Sequence, residues 1–460
     1  MPLRSAVAAA LVLAGTATAA DCSNNLKVDY PAPVAAKGWT YQLVAQNFTK
    51  PRGIAFDKDG GLLVIDSGAG LVHLKLKDDG DTCVSVDERK TLLESEDLNH
   101  GLALSDDGKT LYASSSDKVF SWSYDSKALS LSDSNQTLVT NMSNSDHTTR
   151  TLLMSKKQPG TLLVSRGSQS NEDDNTRDIE SGHSQIRSFD LTKLDSDSDP
   201  YQFLDGHVLG WGLRNSVGVA EDSNGGIWSV ENSVDELSRK GEDIHRDNPA
   251  EELNYHGNIG KPDDDDQGGN YGYPVCYAIW GTENFPEPGK LSVADQFPDD
   301  DAPGNVTDDA CNDEYVSPRL AFQAHTAPLD IKFDDKDEHA YISFHGSWNR
   351  EDPVGYKIAR VAFKDGQPTA AHDSKDAAMD ILSTEDLSQC PDNCFRPVGL
   401  AWDSNGRLWF SSDATGEIFV MKNDGSGGDG GNGGDSAAAS VAPALTLVGC
   451  AAAAVAAMLM

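Results

Sequence analysis

The sequence predicts an all-β fold, a six-bladed β-propeller with a long loop insertion between blades four and five. A pair of apolar strands joined by a turn rich in Asp, Asn and Gly recurs six times along the chain. Long stretches of helical periodicity are nearly absent, and most copies are followed by a third apolar segment. The six copies are Gly53–Ile65, Gly101–Ala113, Thr151–Val164, Ser216–Val230, Leu329–Ser343 and Gly399–Phe410.

Each copy has the same internal order. In the first copy, an apolar run that ends at Phe56 is followed by an Asp/Gly turn and by a second apolar run that begins at Leu62. In the fourth copy the turn is Asn224–Gly226, and Asn-Gly between two apolar runs is a strong hairpin signal. The long interval after this copy holds the insertion, Gly241–Asp313, which we expect to cover one mouth of the central tunnel.

Both ends of the chain resemble processing signals. Residues 1–20 are expected to be a secretory signal peptide, because a positive Arg4 precedes an apolar stretch and small residues. Residues 21–424 are expected to form the propeller, and residues 425–440 a Gly/Asp/Ser linker with a GPI attachment region. Residues 441–460 fit the hydrophobic tail of a GPI signal, with a tail-anchored membrane helix as the alternative. These features predict a secreted protein held at the cell surface or cell wall by a GPI anchor.

The cysteines indicate an oxidising compartment. Cys450 lies in the tail that a GPI signal would lose, which leaves an even set of six cysteines. Six cysteines allow fifteen pairings, of which proximity in the sequence favours Cys22–Cys83, Cys276–Cys311 and Cys390–Cys394. Four glycosylation sequons agree with a secretory route: Asn47, Asn135, Asn141 and Asn305.

The formal net charge of −36 argues against a nucleic-acid partner, because such a surface repels phosphate backbones. Asp263–Asp266 and Asp299–Asp301 are short acidic runs that we expect to be solvated loop residues rather than metal sites.

Arginines recur at one end of the repeats. Trp211–Asn215 places a cation and an amide just before the fourth strand pair, and Asp146–Arg150 lies in the same place before the third. In an acidic chain this recurrence predicts a positive pocket for a polyanionic cofactor, since Arg binds carboxylates through two parallel hydrogen bonds. The alternative is that each arginine caps its blade by donating to loop carbonyls. The arginines concerned are Arg52, Arg150, Arg214, Arg350 and Arg396.

His147 is the candidate base at this end of the molecule. A loop histidine beside Asp146 can accept a proton near neutral pH, although most loop histidines are ordinary surface residues. After the fifth strand pair, His345–Arg350 again combines a cation, an amide and an aromatic residue, and Lys357 follows shortly afterwards.

Six segments together carry a family resemblance. The chain resembles the soluble quinoprotein glucose dehydrogenase and sorbosone dehydrogenase family, and most closely its fungal pyranose dehydrogenase branch. The segments run in the family's order: Asp146–Arg150, Gly212–Asn215, Gly226–Glu231, Glu252–Asn254, Asn270–Pro274 and His345–Arg350.

This resemblance implies a PQQ-dependent sugar dehydrogenase with pyrroloquinoline quinone (PQQ) and calcium at the central mouth of a six-bladed propeller. By position, His147 resembles the general base and Arg214 the guanidinium beside the reactive quinone carbonyl. The backbone carbonyls of Ser233 and Val234 resemble the calcium ligands, although the family often has His-Gly-Pro where this chain has Asn-Ser-Val. The other expected cofactor-binding residues are Arg52, Asn215, Asn232, His345, Asn349, Arg350, Lys357 and Arg396.

The expected substrate is a pyranose, an aldose or a 2-keto sugar. No haem-binding or carbohydrate-binding domain is recognisable, so we expect a separate electron acceptor such as a cytochrome. Two alternatives stay open. The first is a calcium-dependent propeller lactonase or hydrolase, to which Glu231, Asn232 and Asp330 would contribute metal ligands. The second is a non-catalytic cell-surface binding propeller, which the proximity of His147 and Arg214 would argue against.

Overall fold

The structure is a computed structural model that describes residues 22–261 and 263–425. Six sheets, each of four or more strands, follow one another along the chain, and each contains one of the repeated strand pairs. The predicted six-bladed β-propeller is therefore confirmed.

The first three blades are consecutive in the sequence. Blade one contains Pro51–Phe56, Leu62–Asp66, Gly70–Asp78 and Val84–Glu94. Blade two contains Leu102–Leu104, Thr110–Ser114, Val119–Asp125 and Gln136–Thr140, with the short strands Ser130–Leu131 and Tyr201–Gln202 at its periphery. Blade three contains Leu152–Met154, Thr161–Arg166, Gln185–Asp190 and His207–Trp211, with Gly269–Asn270 added in parallel.

The last three blades complete the ring. Blade four contains Ser216–Glu221, Gly226–Glu231, Glu251–Asn258 and Leu320–Phe322. Blade five contains Pro328–Phe333, His339–Phe344, Lys357–Lys364 and Ala378–Ser383, with Val34–Ala35 and Gln367–Pro368 at its periphery. Blade six contains Pro397–Trp402, Leu408–Ser412, Glu417–Asn423 and the N-terminal strand Trp39–Ala45.

The ring closes by pairing the two ends of the folded chain. Strand Trp39–Ala45 lies antiparallel to Glu417–Asn423, with Trp39 opposite Asn423. Closure of this kind hides sheet edges that would otherwise be open to pairing with another chain.

The insertion belongs to blade four itself rather than lying only between blades four and five. The third and fourth strands of blade four come after the fourth repeat, so the inserted segments leave and re-enter this blade. They contain two small ribbons, Ser238–Arg239 with Glu242–Asp243 and Cys276–Ala278 with Gln296–Pro298, and the short α-helix Asp308–Glu314. The 3₁₀ turns of the described residues are Asp174–Arg177, Ile179–Ser181, Leu191–Lys193, Phe203–Asp205 and Leu387–Gln389.

Aromatic side chains fix neighbouring blades against each other. Trp228 of blade four is fully buried and lies against Phe333 and Phe363 of blade five, with ring centroids 6.3 and 5.0 Å away. Its indole N–H donates to Asp222 at 3.1 Å, so the buried polar group of this ring has a partner. This packing holds the inner strands at constant positions, and therefore also the loops that follow them.

The three favoured disulfides are confirmed. Cys22–Cys83, Cys276–Cys311 and Cys390–Cys394 have Cα–Cα distances of 5.5, 5.7 and 5.4 Å. All four sequon asparagines are exposed, and their glycosylation stays a prediction.

The predicted signal peptide (1–20) and hydrophobic tail (441–460) lie outside the described residues, as does the linker beyond residue 425. Within 22–261 and 263–425, no helix is both long and apolar enough to cross a membrane.

Candidate functional site

The candidate residues lie on one face of the propeller. In an antiparallel pair, the start of the first strand and the end of the second meet at the same end of the sheet. Arg214 and Asn215 precede the inner strand Ser216–Glu221, and His147 lies shortly before the inner strand of blade three. Loops that follow second strands, such as the one after Gly226–Glu231, reach the same face. We call this face the mouth.

His147 is held as a neutral base. Its Nδ1 lies 2.8 Å from Ser168 Oγ and 3.2 Å from the Ser168 carbonyl oxygen. Because a carbonyl can only accept, Nδ1 carries the proton and Nε2 keeps its lone pair. Burial, followed by the positive charge of Arg214, lowers the pKa of His147 to about 4. The imidazole is therefore unprotonated at neutral pH.

Asp146 influences both the backbone conformation and the pKa of His147. The Asp146 carboxylate accepts a hydrogen bond from the backbone N–H of His147 at 2.8 Å, and its negative charge partly offsets the lowered pKa. His147 adopts φ 29°, a backbone conformation uncommon for a residue other than glycine. This bond thus helps to hold the loop conformation that presents the imidazole.

Gly167 brings His147 and Asn215 together. A Cβ atom on Gly167 would lie 2.6 Å from Asn215 Oδ1 and 2.8 Å from His147 Cβ, so the two side chains flank the space that glycine leaves. Next to it, the backbone N–H of Ser168 donates to the Arg214 carbonyl at 2.8 Å. His147 and Asn215 therefore lie side by side at Gly167, and the backbone of Arg214 lies next to them.

Arg214 is clamped in a buried position, with 6% of its surface exposed. Its Nε and Nη2 donate to the carbonyl and the side-chain oxygen of Asn171 at 3.0 and 2.8 Å, and Nη1 donates to the Asn232 carbonyl at 3.2 Å. Asp235 Oδ2 lies 3.5 Å from Nη2. Among the described residues, three of the five N–H groups donate hydrogen bonds and Nη2 also pairs with Asp235, which leaves an N–H on Nη1 without a partner for a ligand oxygen.

Several residues at the mouth have no motif in the sequence. Asn171 accepts from both Arg214 and the backbone of Asp235, and Asp235 in turn contacts Asn349 and His325. Burial raises the pKa of Asp235, but its bond with His325 and the charge of Arg214 lower it overall. Only the equivalence of loops at one end of successive blades could have found these residues.

The loop of Ser233 and Val234 fits a cation with oxygen ligands. Neither carbonyl accepts a hydrogen bond among the described residues, although Val234 is buried. The buried Glu251 carboxylate accepts from the backbone N–H groups of Ser233 at 2.8 Å and Ala327 at 3.1 Å. Burial raises the pKa of Glu251 to about 7. Two free carbonyls on an anchored loop match the oxygen donors that calcium prefers.

The residue before this loop, Asn232, has a structural role in the same region. Its side-chain amide donates to the carbonyls of Pro328 at 2.7 Å and Asn215 at 3.3 Å, which ties blades four and five together at the mouth.

The other predicted cations have partners within the protein. Arg150 is fully buried and donates to the carbonyls of His147, Thr149 and Met142, so it caps its blade as the alternative interpretation proposed. Arg396 donates to the carbonyls of His345 and Gly346. The contacts of Lys357 are with Asp380 and the ring of Phe344, and none of them is with Arg214.

Arg52 and His345 form a second group at the mouth. Both bind Asp413, with Arg52 Nη1 and His345 Nε2 each 2.7 Å from a carboxylate oxygen. Burial lowers the pKa of His345, although the Asp413 charge opposes this shift. Arg350 contacts Asp247 at 3.2 Å and leaves its buried Nε without a partner among the described residues.

The side-chain metal ligands expected of a lactonase do not converge. Glu231 accepts from Ser216 at 2.7 Å, whereas Asp330 accepts from the backbone of Leu400 and pairs with Lys332 inside the tunnel. A cavity of about 650 Å³ is lined by Phe56, Met154 and Trp402, which lie at the opposite end of their strands from the mouth. None of the candidate cofactor residues lines this cavity.

The fold and the mouth define a closed six-bladed propeller that presents a neutral histidine beside a clamped guanidinium. Residues 33–424 match the family described as TrAA12-like. The chain belongs to this family, and the curated relatives that match it are named as dehydrogenases, a class of oxidoreductase. The family resemblance identified from the sequence motifs is therefore confirmed.

Two curated relatives are similar over most of this chain. The "Pyrroloquinoline quinone-dependent sugar dehydrogenase" of Hypocrea jecorina (strain QM6a) is 54% identical over 422 residues, which is 90% of this chain and 96% of the relative. The "Pyrroloquinoline quinone-dependent pyranose dehydrogenase" of Coprinopsis cinerea is 40% identical over 403 residues. That match covers 84% of this chain and 54% of the relative, so the chain spans about half the length of that protein.

Two solved structures share the fold at high similarity. The calcium structure of the Trichoderma reesei family AA12 enzyme has a TM-score of 0.86 and 55% identity, and the match covers 87% of this chain and 99% of that one. The holo form of the PQQ domain of Coprinopsis cinerea pyranose dehydrogenase has a TM-score of 0.81 and 37% identity, with the same coverage.

Proposed function

We propose that this chain is a PQQ-dependent sugar dehydrogenase in which His147 removes the proton of the sugar hydroxyl. The names of its relatives support the substrate and cofactor class. The observation that carries the role of His147 is its neutral imidazole, tied at Nδ1 and placed beside Arg214.

His147 would act through Nε2. Ser168 holds Nδ1–H, so the free lone pair is the one that receives the hydroxyl proton, and the resulting imidazolium keeps its bond to Ser168. The nearby positive charge of Arg214 makes this imidazolium short-lived, since it lowers the pKa of His147. The proton is therefore returned readily to solvent or product.

The clamped residues would hold the cofactor. PQQ, when bound, supplies the acceptor that takes a hydride from the sugar carbon. Arg214 offers its remaining Nη1 N–H to an oxygen placed beside it, and Arg350 offers its unpartnered Nε–H to a carboxylate. Asn215 lies beside His147 at Gly167, where it would orient the reacting groups.

Calcium would be held by the carbonyl oxygens of Ser233 and Val234. Glu251 fixes the position of Ser233 through its backbone N–H, so the loop needs little rearrangement to receive an ion. The calcium structure of the Trichoderma reesei relative supports the choice of ion.

The proposal is tested by loading the purified chain with PQQ and calcium and by following dye reduction with a panel of sugars. We expect activity that depends on both additions and on the sugar. Retention of PQQ without sugar-dependent dye reduction would instead favour a binding propeller, and lactone hydrolysis without PQQ would favour the hydrolase.

The pH profile should reflect the lowered pKa of His147. In the free enzyme, the acid limb of kcat/KM that belongs to His147 is expected near pH 4, where the imidazole becomes protonated, and is separate from the titration of Glu251 near pH 7. Asp146 raises this pKa, so Asp146→Asn should move the acid limb to still lower pH. An acid limb near 6.5 that does not move in this variant would contradict the assignment.

Gly167→Ala should damage the site more than the fold. The added methyl group would crowd Asn215 Oδ1 and His147 Cβ, and displacing such groups by an ångström can cost about a hundredfold in kcat. Gly260→Ala is the matched control, because its nearest atoms are 3.2 and 3.4 Å away in an exposed turn. Equal kcat values for the two variants, measured with bound PQQ, would rule out a positioning role for Gly167.

We further propose that the chain is secreted, is held at the cell surface by a GPI anchor, and passes electrons to a separate acceptor such as a cytochrome. The motifs at 1–20 and 425–460 support the first two points. Release of the protein from cells by phosphatidylinositol-specific phospholipase C would support the anchor, and resistance to this enzyme would favour a membrane helix.

A further inference from the structure

Asp235, which pairs with Arg214, forms with two histidines a group of side chains to which the proposed reaction gives no role. Asp235, His245 and His325 offer ligand atoms that all lie within 4.8 Å of one another. Asp235 follows the second strand of blade four, His245 lies in the insertion, and His325 precedes the inner strand of blade five. The two imidazole ring centroids are 4.3 Å apart. Three separate segments thus bring metal-binding side chains to one point.

The spacing of two of these atoms suits a tetrahedral ion. His325 Nδ1 lies 3.4 Å from Asp235 Oδ1, whereas a charge-assisted N–H···O bond is usually shorter, about 2.7–2.9 Å. Ligand atoms that lie about 2.0–2.2 Å from a tetrahedral centre are about 3.3–3.6 Å apart. The observed separation therefore matches one edge of such a site.

The outer contacts orient the ligand atoms. His325 Nε2–H donates to the carbonyl of His245, and Nδ1 faces Asp235, where a bound ion would replace the proton shared with the carboxylate. Asn349 donates to Asp235 Oδ1 at 2.8 Å. Bonds of this kind from the second nitrogen of a histidine and to the ligating carboxylate are typical of metal sites.

His245 is the residue of the group whose side chain would have to move for an ion to bind. Its Nδ1 accepts a hydrogen bond from the backbone N–H of Glu236 at 2.8 Å, and its ring is partly exposed. A neutral imidazole that accepts at Nδ1 carries its proton on Nε2, so ligation requires the ring to turn and give up this bond. Its exposure allows that movement and gives an ion a route from solvent.

We propose that Asp235, His245 and His325 form a site for a divalent transition-metal ion such as Zn²⁺ or Cu²⁺. Two imidazoles and one carboxylate favour these ions over calcium, which prefers oxygen ligands. The site is distinct in its ligands from the calcium loop of Ser233 and Val234.

Occupation should inhibit turnover, a consequence that rests on the proposed function. Asp235 Oδ2 pairs with Arg214. A cation bound at Oδ1 would therefore weaken the attraction between the Asp235 carboxylate and the Arg214 guanidinium. It would also tie the insertion at His245 to the segment before blade five, beside the mouth.

Binding is tested on the PQQ-free chain, so the result does not depend on the proposed reaction. Zinc is titrated calorimetrically in the presence of saturating calcium, and tetrahedral ligation is checked by the visible absorption of the cobalt(II) form. We expect one ion per chain, and an affinity that falls at least about tenfold in His245→Ala and in His325→Ala. The exposed His372 serves as control, because His372→Ala should bind zinc like the wild type.

Zinc affinity unchanged in both variants, or displacement of zinc by calcium at equal concentration, would overturn the site. The inhibitory role is tested separately in the loaded enzyme. Zinc should inhibit the wild type and spare His245→Ala, and a chelator selective for transition metals should restore activity. Zinc that binds at these residues but leaves turnover unchanged would overturn the inhibition and leave the site itself supported.

Discussion

His147→Gln is expected to lower kcat by about 10²- to 10⁴-fold while PQQ and calcium remain bound. Glutamine keeps a polar side chain of similar length, but its amide nitrogen has no lone pair to take a proton. The loss should therefore appear in single-turnover reduction of the bound quinone by sugar, and not in the amount of PQQ retained.

His372→Gln, at an exposed position, is the matched control and should behave like the wild type. Single-turnover rates for His147→Gln within a few-fold of the wild type would remove His147 from the chemistry. Loss of PQQ binding in this variant would assign His147 to the cofactor instead.

Arg214→Lys is expected to reduce kcat by about 10²- to 10³-fold and to weaken PQQ binding as well. Lysine keeps the positive charge but lacks the planar guanidinium. The guanidinium donates to Asn171 and Asn232 and still has a further N–H for a ligand. The expected effect exceeds that of a simple charge change, because the donor is held in a fixed direction before the ligand arrives.

Arg187→Lys controls for the loss of a buried guanidinium. Arg187 is 4% exposed and donates to the carbonyls of Leu204 and Gly206 in blade three, with no contact to Arg214. Both variants should lower thermal stability, whereas only Arg214→Lys should lower kcat per PQQ-loaded chain. Equal losses of kcat in the two variants would mean that Arg214 acts through folding alone.

The repeats predicted the blades because each repeat is a local signal. An apolar run, a turn with Gly or Asn and a second apolar run lie within about fifteen residues, as in Ser216–Val230. Ring closure by Trp39–Ala45 has no such signal, because its partner strand ends at Asn423. The fourth strand of blade four, Leu320–Phe322, also has no local signal, because the insertion separates it in the sequence from the strands with which it pairs.

The position of a candidate residue in the fold was predictable where a motif precedes an inner strand. His147 and Arg214 lie at the same mouth because their loops occupy equivalent places in blades three and four. The recurrence of arginines did not by itself identify cofactor-binding residues, because Arg150 donates its hydrogen bonds to loop carbonyls. The roles of Asn171 and Asp235 were not predictable from the sequence, because their contacts depend on how the loops fold over one another.

The most direct test is anaerobic sugar addition to the chain loaded with PQQ and calcium, followed by absorption spectroscopy. One PQQ per chain should bind, and the wild-type spectrum should change to that of the reduced cofactor on addition of a sugar substrate. His147→Gln should hold the same amount of PQQ and show no comparable change on the same time scale. A wild-type chain that binds no PQQ, or a His147→Gln variant reduced as fast as the wild type, would contradict the account.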